Sequence, residues 1–230
     1  SGNTAVGYQA LRLSDGADSN QTAIGSEALE NSTTGTNTAV GAAAMKWVDD
    51  GSANVAVGYL AMTSAGADAG NTASDNVAIG KSALAAITDG GNNVAIGSSA
   101  GATLTESSYN VAIGQSALSG SVTGAKNIAI GKNAGLNQTS GEGCVYIGDA
   151  AGDHCTDGHR NVAIGEASLS GNADDDNVAV GYGALGACTG TDNVAMGTSA
   201  GDVISTGSSN TIIGKGSDPS ANDATNQTVI

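Results

Sequence analysis

One short pattern of polar and aliphatic residues recurs along almost the whole chain. The stretch NNVAIGSSAG at 92–101 returns as YNVAIGQSAL, KNIAIGKNAG and RNVAIGEASL. The shared motif is an Asn, a β-branched residue, an Ala, a second aliphatic residue and a Gly. Self-similarity at a nearly fixed period is the signature of a repeat architecture, in which each repeat is one structural unit.

The motif occurs fourteen times, at intervals of 16 to 18 residues with a single interval of 22. We name its aligned positions as columns: the Asn column, the first aliphatic column, the Ala column, the second aliphatic column and the Gly column. Asn occupies the Asn column in eleven copies, and Ala occupies the Ala column in eleven. Gly occupies the Gly column in every copy that is long enough to include it. The copies begin at Asn3, Gln21, Asn37, Asn54, Asn76, Asn93, Asn110, Asn127, Cys144, Asn161, Asn177, Asn193, Asn210 and Gln227.

The two aliphatic columns predict a short β-strand in every copy. They are two residues apart, so their side chains share one face of an extended strand. Val, Ile and Thr dominate both columns, and these residues favour strands. Because the run is too short to be stable alone, each copy must pack on the copies before and after it. The sequence therefore predicts an all-β parallel β-solenoid, a single domain over 1–230. It would have about 13 coils of ~17 residues, with two short strands and two bends in each.

Two columns have a structural interpretation. The Asn side chains are expected to form a buried ladder that bonds neighbouring coils and the backbone of the bend. Each Gly would sit at a bend that needs a positive φ or leaves no room for a Cβ atom. The predicted ladder is Asn37, Asn54, Asn76, Asn93, Asn110, Asn127, Asn161, Asn177 and Asn193, and the predicted bend glycines are Gly58, Gly80, Gly97, Gly114, Gly131, Gly148 and Gly165.

The Ala column is predicted to face outward. It alternates with the aliphatic columns, so if those fill the coil, the Ala stripe lies on the surface and lets another backbone approach closely. We expect this stripe to mediate self-association along the axis of the solenoid. The predicted contact residues are Ala56, Ala78, Ala95, Ala112, Ala129, Ala163 and Ala179.

The motif N-[TV]-A-[VI]-G-x-x-A, over Asn3 to Ile230, resembles the head repeat of YadA-like trimeric autotransporter adhesins. It is also similar to the head-like repeats of bacteriophage tail fibres. The resemblance implies a left-handed parallel β-roll that assembles as a parallel homotrimer about a common axis. The family's usual repeat is shorter than the one found here. The long Ser, Thr and Gly-rich spacing and the closing TNQTVI favour a tail fibre over a bacterial surface adhesin.

Composition and charge narrow the function classes. The chain has 22 acidic and 7 basic residues, a net charge of −15, and a surface of that sign repels nucleic-acid phosphates and anionic membranes. No run of 18 apolar residues is present, so we expect no membrane insertion of this stretch. The chain opens and closes within the pattern, which indicates a piece of a longer fibre with extended loops near 12–20 and 63–75.

The strongest candidate for metal chemistry is CVYIGDAAGDHCTDGH at 144–159. Cys144, His154, Cys155 and His159 are zinc ligand types, but their spacing matches no standard zinc pattern, and Cys144 takes an Asn-column position. The acidic turn ADDDN at 173–177 lacks the nonapeptide of calcium-binding β-rolls and is interpreted as solvated charge. We expect no cofactor and no metal, and free thiols at the three cysteines.

The other motifs are weaker indications of a binding or catalytic site. GYGALG at 181–186 matches a dinucleotide-binding pattern, but no helical pattern follows it. Tyr8, Tyr59 and Tyr182 follow bend glycines and are expected at a partly buried rim. No arrangement of nucleophile, base and carboxylate stands out, so an enzyme is not expected.

The leading hypothesis is an extracellular structural and adhesive fibre segment. It would be a homotrimeric rod that attaches to a receptor, either a glycan or a protein, on a cell surface. Two alternatives stay open: a monomeric ice- or surface-binding solenoid, and a glycan-degrading β-solenoid like some viral tailspikes. The first alternative requires a regular outward Thr array, and the second requires a carboxylate pair on one face.

Overall fold

A computed structural model describes residues 2–13, 20–64, 71–120 and 122–230. The chain divides into two compact units, Ser1–Ser116 and Ala117–Ile230. Each unit is a parallel β-solenoid in which every coil contributes one strand of two or three residues, and the described residues contain no helix. The coil repeat of about 17 residues seen in the sequence is therefore the structural repeat.

The strands coincide with the aliphatic and Ala columns. In the first unit they are β1 Thr4–Val6, β2 Thr22–Ile24, β3 Thr38–Val40, β4 Val55–Val57, β5 Val77–Ile79, β6 Val94–Ile96 and β7 Val111–Ile113. In the second unit they are β8 Ile128–Ile130, β9 Val145–Ile147, β10 Val162–Ile164, β11 Val178–Val180, β12 Val194–Met196, β13 Thr211–Ile213 and β14 Thr228–Val229. The prediction of two strands in each coil is wrong: in the described part of the chain, the rest of each coil is turns, bends and irregular backbone.

Consecutive strands within each unit pair in parallel and in register. Each residue lies beside the residue of the same column in the next coil, as Ala78 lies beside Ala95 and Val162 beside Val178. Parallel pairing at constant register stacks identical side chains one strand spacing apart, about 4.8 Å. A column in the sequence is thus a row along the solenoid.

The Ala column lies inside the coils, which corrects the expectation that it faces outward. All seven predicted contact residues have no exposed surface: Ala56, Ala78, Ala95, Ala112, Ala129, Ala163 and Ala179. The rest of the core comes from a second Ala column three residues after the bend glycine, from the Leu or Met that follows it, and from one aliphatic or small residue further on. Ala83, Leu84 and Ile87 show this set in one coil.

The coil interior is too narrow for two branched side chains facing each other. The large side chain of the core is the Leu or Met that follows the second Ala column, at what we call the Leu position. The strand residue that faces it must therefore have a small side chain. The exceptions show the same exchange: where Tyr146 replaces Ala, Gly135 and Gly152 occupy the Leu position on either side of its ring. Ile212 likewise packs against Gly201, whose added Cβ would lie 3.1 Å from the Ile212 side chain. Both faces of the strand carry apolar residues, so side-chain volume is what distinguishes the residue that turns inward.

Each Gly of the Gly column has a backbone conformation that other residues rarely adopt. Its φ lies between +126° and +141° in all thirteen copies. A Cβ atom added to Gly97 would lie 2.6 Å from the carbonyl oxygen of Gly114 in the next coil. The seven predicted bend glycines all lie at this position. The extended loops predicted near 12–20 and 63–75 fall largely at 14–19 and 65–70, outside the described residues.

Candidate interaction surface

The two aliphatic columns form an outward-facing strip that we call the strand face. The strand side chains alternate, and because Ala turns inward, its neighbours on both sides turn outward. Away from the first and last strands, the more exposed members have 36 to 46 % of their surface accessible. They are Ile24, Val55, Val57, Ile79 and Ile96 in the first unit and Ile128, Ile130, Ile164, Met196 and Ile213 in the second.

The second aliphatic column gives the strand face an unbroken apolar row in each unit, whereas the first column also contains Thr, at Thr22, Thr38 and Thr211. In β4, both outward residues, Val55 and Val57, are exposed, and β8 exposes Ile128 and Ile130 in the same way. Single exposed apolar residues are common on protein surfaces, but contiguous apolar patches mark interaction sites. The exposed side of these strands is therefore the aliphatic one, and the Ala column that was expected on the surface lies inside.

The Asn column is a buried hydrogen-bonded ladder that holds the strand ends in place. In the first unit, the Oδ1 atom of Asn37 accepts hydrogen bonds from the backbone N–H and the Nδ2 of Asn54, at 3.0 and 3.1 Å. Asn54 accepts in the same way from Asn76, and its own Nδ2 donates to the carbonyl of Ala73 at 2.7 Å. Each amide therefore satisfies both strand and turn backbone in the interior.

The ladder changes where another residue replaces Asn. Cys144 still donates from its backbone N–H to Oδ1 of Asn127, at 2.9 Å, and its Sγ donates to the Gly158 carbonyl, at 3.2 Å. Its side chain has no amide oxygen to offer to Asn161, so the chain of side-chain bonds is interrupted there. Gln21 directs its Nε2 to Ser32 and Thr34, and its Oε1 is buried without a hydrogen bond among the described residues.

Replacing Asn193 by Ala should lower the free energy of unfolding by about 2–4 kcal/mol. The change removes the acceptor of the Asn210 N–H and Nδ2 groups, at 3.1 and 3.0 Å, and the donor to the Gly207 carbonyl at 2.9 Å. A buried polar group that loses its partner costs about 1–3 kcal/mol, and Asn193 is fully buried. Equilibrium urea unfolding at one protein concentration measures the difference.

Asn193→Cys is the matched control, because the chain itself places Cys144 at this position. The thiol can keep the bond to the carbonyl, as Cys144 does to Gly158. We expect Asn193→Cys to lose less stability than Asn193→Ala. Equal stability of the alanine variant and the parent protein would contradict a structural role of the ladder.

A second row of exposed side chains, the Thr column, lies on the turn side of the coils. Thr139 donates from Oγ1 to the Thr156 carbonyl at 3.1 Å, and Thr189 donates to the Ser205 carbonyl at 2.8 Å. This row recurs with the coil period but was not predicted from the sequence. Its exposed or half-exposed members are Thr33, Thr72, Thr88 and Thr105 in the first unit and Thr123, Thr139, Thr156 and Thr189 in the second.

Carboxylates accompany the Thr column. Asp50 accepts a hydrogen bond from Thr33 at 2.9 Å, and Asp89 accepts one from Thr72 at 2.8 Å. Asp157 accepts from Thr139 and Ser140, and these bonds lower the pKa of its carboxyl. The row is therefore charged as well as hydroxyl-bearing.

The structure does not bring the four candidate zinc ligands together. Cys144 and Cys155 lie in the core, whereas the His154 side chain is 64 % exposed beside Asp153. His159 accepts at Nδ1 from the Glu142 backbone N–H, at 3.1 Å. Burial raises the pKa of Cys155 to about 12, which keeps its thiol protonated. In the described part of the chain, no group of three or more His, Cys, Asp or Glu side chains could hold a metal, and all three cysteines are free and buried.

The remaining sequence motifs lie in turns. GYGALG forms the bend after β11, with Gly181 and Gly183 at φ of +134° and +62°, and no helix follows it. In the acidic turn, Arg160 pairs with Asp175 at 3.0 Å and with Asp176 at 2.6 Å, all at the surface. These contacts neutralise part of the negative charge of the turn.

The tyrosines after the bend glycines are more exposed than expected. Tyr8, Tyr59 and Tyr182 have 54 to 70 % of their surface accessible. The expectation of a partly buried rim is therefore wrong for them. Trp47, by contrast, is half-buried and has the Lys46 ammonium 5.1 Å from its ring centroid.

These features define a class: a parallel β-solenoid repeat protein with an apolar strand face and an amide ladder. Comparisons of the chain with protein-family models, with curated proteins and with solved structures found no match. The described residues include no helix of the length and apolarity needed to cross a membrane.

Proposed function

We propose that the chain is a segment of a homotrimeric adhesive fibre, either a phage-type tail fibre or a bacterial surface adhesin. The observation that carries the proposal is the strand face, an apolar row that continues from coil to coil. Three parallel copies that direct their strand faces at a common axis would cover this row in all of them. The proposed contact residues are thus the aliphatic neighbours of the Ala column.

The charge of the chain fits this arrangement. Its 22 acidic residues lie outside the two aliphatic columns, so an assembly through the strand face keeps like charges away from the buried contact. Burial of exposed Val and Ile side chains stabilises association by about 25 cal/mol per Å² of apolar area. A row repeated in every coil adds contact area in proportion to length, which suits a fibre. The proposal places the segment outside the cell and assigns it no catalytic step.

Native mass spectrometry of the chain at micromolar concentration should report a trimer. Ile79→Lys with Ile96→Lys places two cations on the strand face, and we expect the trimer to weaken by at least about tenfold for each lysine. Both side chains point outward, so each monomer should keep its β-sheet circular dichroism spectrum.

Thr105→Lys is the control, because Thr105 is exposed on the turn side of the same unit. This variant should remain trimeric. A parent protein that is monomeric at micromolar concentration would overturn the proposal. A double variant that still forms the trimer would exclude the strand face as its contact.

A monomeric surface-binding solenoid is the second candidate, and the Thr column favours it. Regularly spaced outward hydroxyls suit an ordered surface such as ice, but Asp50, Asp89 and Asp157 interrupt the row with charge. A thermal-hysteresis measurement separates the two candidates. Activity of a monomer would support the second one, and its absence in a trimer would support the fibre.

A further inference from the structure

One cluster of side chains in the first unit has a composition unlike the rest of the surface. We call this cluster the Trp47 patch. It lies in the turns after β1, β2 and β3 and consists of Arg12, Glu27, Glu30, Lys46 and Trp47. Trp47 is the single Trp of the chain, and Arg12 and Lys46 are two of its seven basic residues.

Ion pairs fix the geometry of the patch. Arg12 Nε lies 2.9 Å from Glu30 Oε1, and Lys46 Nζ lies 2.7 Å from Glu27 Oε2 and 3.4 Å from Glu30 Oε2. The hydrogen bond to Glu27 raises the pKa of Lys46, so its ammonium stays charged beside the indole ring. Charged side chains held in one network present their free atoms in defined directions.

Several polar atoms of the patch have no partner among the described residues. Within the described part of the chain, no hydrogen bond is made by the indole N–H of Trp47, the two terminal nitrogens of Arg12 or Oε1 of Glu27. Glu30, whose side chain is only 7 % exposed, has a buried Oε2 that accepts no hydrogen bond and makes only the longer ion pair. A half-exposed aromatic ring with unused donors and acceptors around it has the composition of a small-ligand site.

The charge of the patch indicates the kind of ligand. Its two cations and two carboxylates cancel, so it is locally neutral on a chain of net charge −15. An anionic ligand would meet the repulsion of the whole chain. A neutral pyranose ring has an apolar face that can lie on the exposed part of the indole. Its hydroxyls can donate to Glu27 and accept from Arg12 and the indole N–H.

We propose that the Trp47 patch binds a neutral hexopyranose unit of a surface glycan. The inference rests on the proposed attachment role, since it names the receptor chemistry for such a fibre. It places recognition on the turn side of the coils, away from the strand face, so that assembly leaves the patch accessible.

An array of immobilised glycans, probed with the labelled full chain, tests the proposal. The array should carry maltohexaose, cellohexaose and chitohexaose as neutral probes, and sialylated and sulfated glycans as acidic ones. We expect at least one neutral probe to be retained. The same oligosaccharide in solution should change the fluorescence of Trp47 in a saturable way.

Trp47→Ala should weaken binding at least roughly tenfold, as expected for an aromatic anchor. Trp47→Phe should keep part of it, and Tyr59→Ala, which removes another exposed aromatic ring of the same unit, should leave it unchanged. Circular dichroism compares the folding of the variants, and native mass spectrometry compares their assembly. Retention of acidic glycans alone, no retention at all, or equal binding by the Trp47→Ala variant would overturn the proposal. If the chain is a trimer that binds no glycan, only the proposed glycan site at the Trp47 patch is refuted. If the chain is a monomer, the proposed fibre function is refuted.

Discussion

Replacing Tyr146 by Ala should lower the free energy of unfolding by about 3–5 kcal/mol, the range for an aromatic residue removed from a core. Tyr146 is the largest fully buried side chain among the residues that the structure describes. Its ring fills the space left by Gly135 and Gly152, and neither glycine has a side chain that could fill the cavity. Urea unfolding of parent and variant at one protein concentration measures the loss.

Two further variants separate the ring from the hydroxyl and test the exchange of volume. The Tyr146 hydroxyl is buried without a hydrogen bond among the described residues, and burial raises its pKa well above its usual value. Tyr146→Phe should therefore be as stable as the parent to within about 1 kcal/mol, or more stable. Gly152→Leu should restore part of the stability lost in Tyr146→Ala, because Ala and Leu are the usual pair at these positions. If Gly152→Leu destabilises both backgrounds equally, the two sites are not coupled.

Replacing Gly181 by Ala should destabilise the protein by about 2–6 kcal/mol. The φ of +134° is a conformation that costs a residue with a Cβ atom about 1–3 kcal/mol, and the close contact adds a similar amount. The new Cβ would meet the Gly197 carbonyl carbon at 2.6 Å, and this carbonyl belongs to the backbone of the next coil and cannot rotate away. Thermal unfolding followed by circular dichroism measures the effect.

Gly183→Ala is the control for that variant. Gly183 has a φ of +62°, close to the +53° of Ala150 and Ala167 at equivalent positions, and the nearest atom to its added Cβ is 3.7 Å away. We expect this substitution to change stability by less than about 1 kcal/mol. Equal losses in the two variants would show that glycine content, rather than the bend geometry, determines stability.

The sequence predicts the repeat, the strands and the bend position because each of these is local. The two-residue alternation of Val94, Ala95 and Ile96 also predicts that Ala lies opposite its neighbours, but it does not say which side is the interior. That choice depends on the width of the coil, which is set by Leu84 and its equivalents across the core. The pairing of Tyr146 with Gly152 is a sequence signal that large residues in the Ala column require space inside.

The candidate sites were harder to predict, because they join residues from different coils. Arg12, Glu30 and Lys46 are separated by more than fifteen residues at each step, and only the stacking of turns brings their charges together. The Thr column was missed for another reason. Six of its members lie twelve residues after the Asn-column residue of their own coil, a regular spacing that falls outside the Asn-to-Gly motif on which the copies were aligned. The cysteine and histidine cluster was misleading because adjacent residues in a coil alternate between core and solvent.

The Asn ladder gives each solenoid unit a direction. Within each unit, the later coil supplies the donors and the earlier coil supplies the oxygen in the Asn-to-Asn bonds, as in Asn76 to Asn54 and Asn210 to Asn193. The two faces of a coil are therefore chemically different. A coil added on the C-terminal side must bring an N–H pair, and one added on the N-terminal side must bring an amide oxygen. The solenoid can therefore be lengthened by duplication only if every added coil has the same orientation. Two coils that faced each other in opposite orientations would place donors opposite donors or oxygens opposite oxygens.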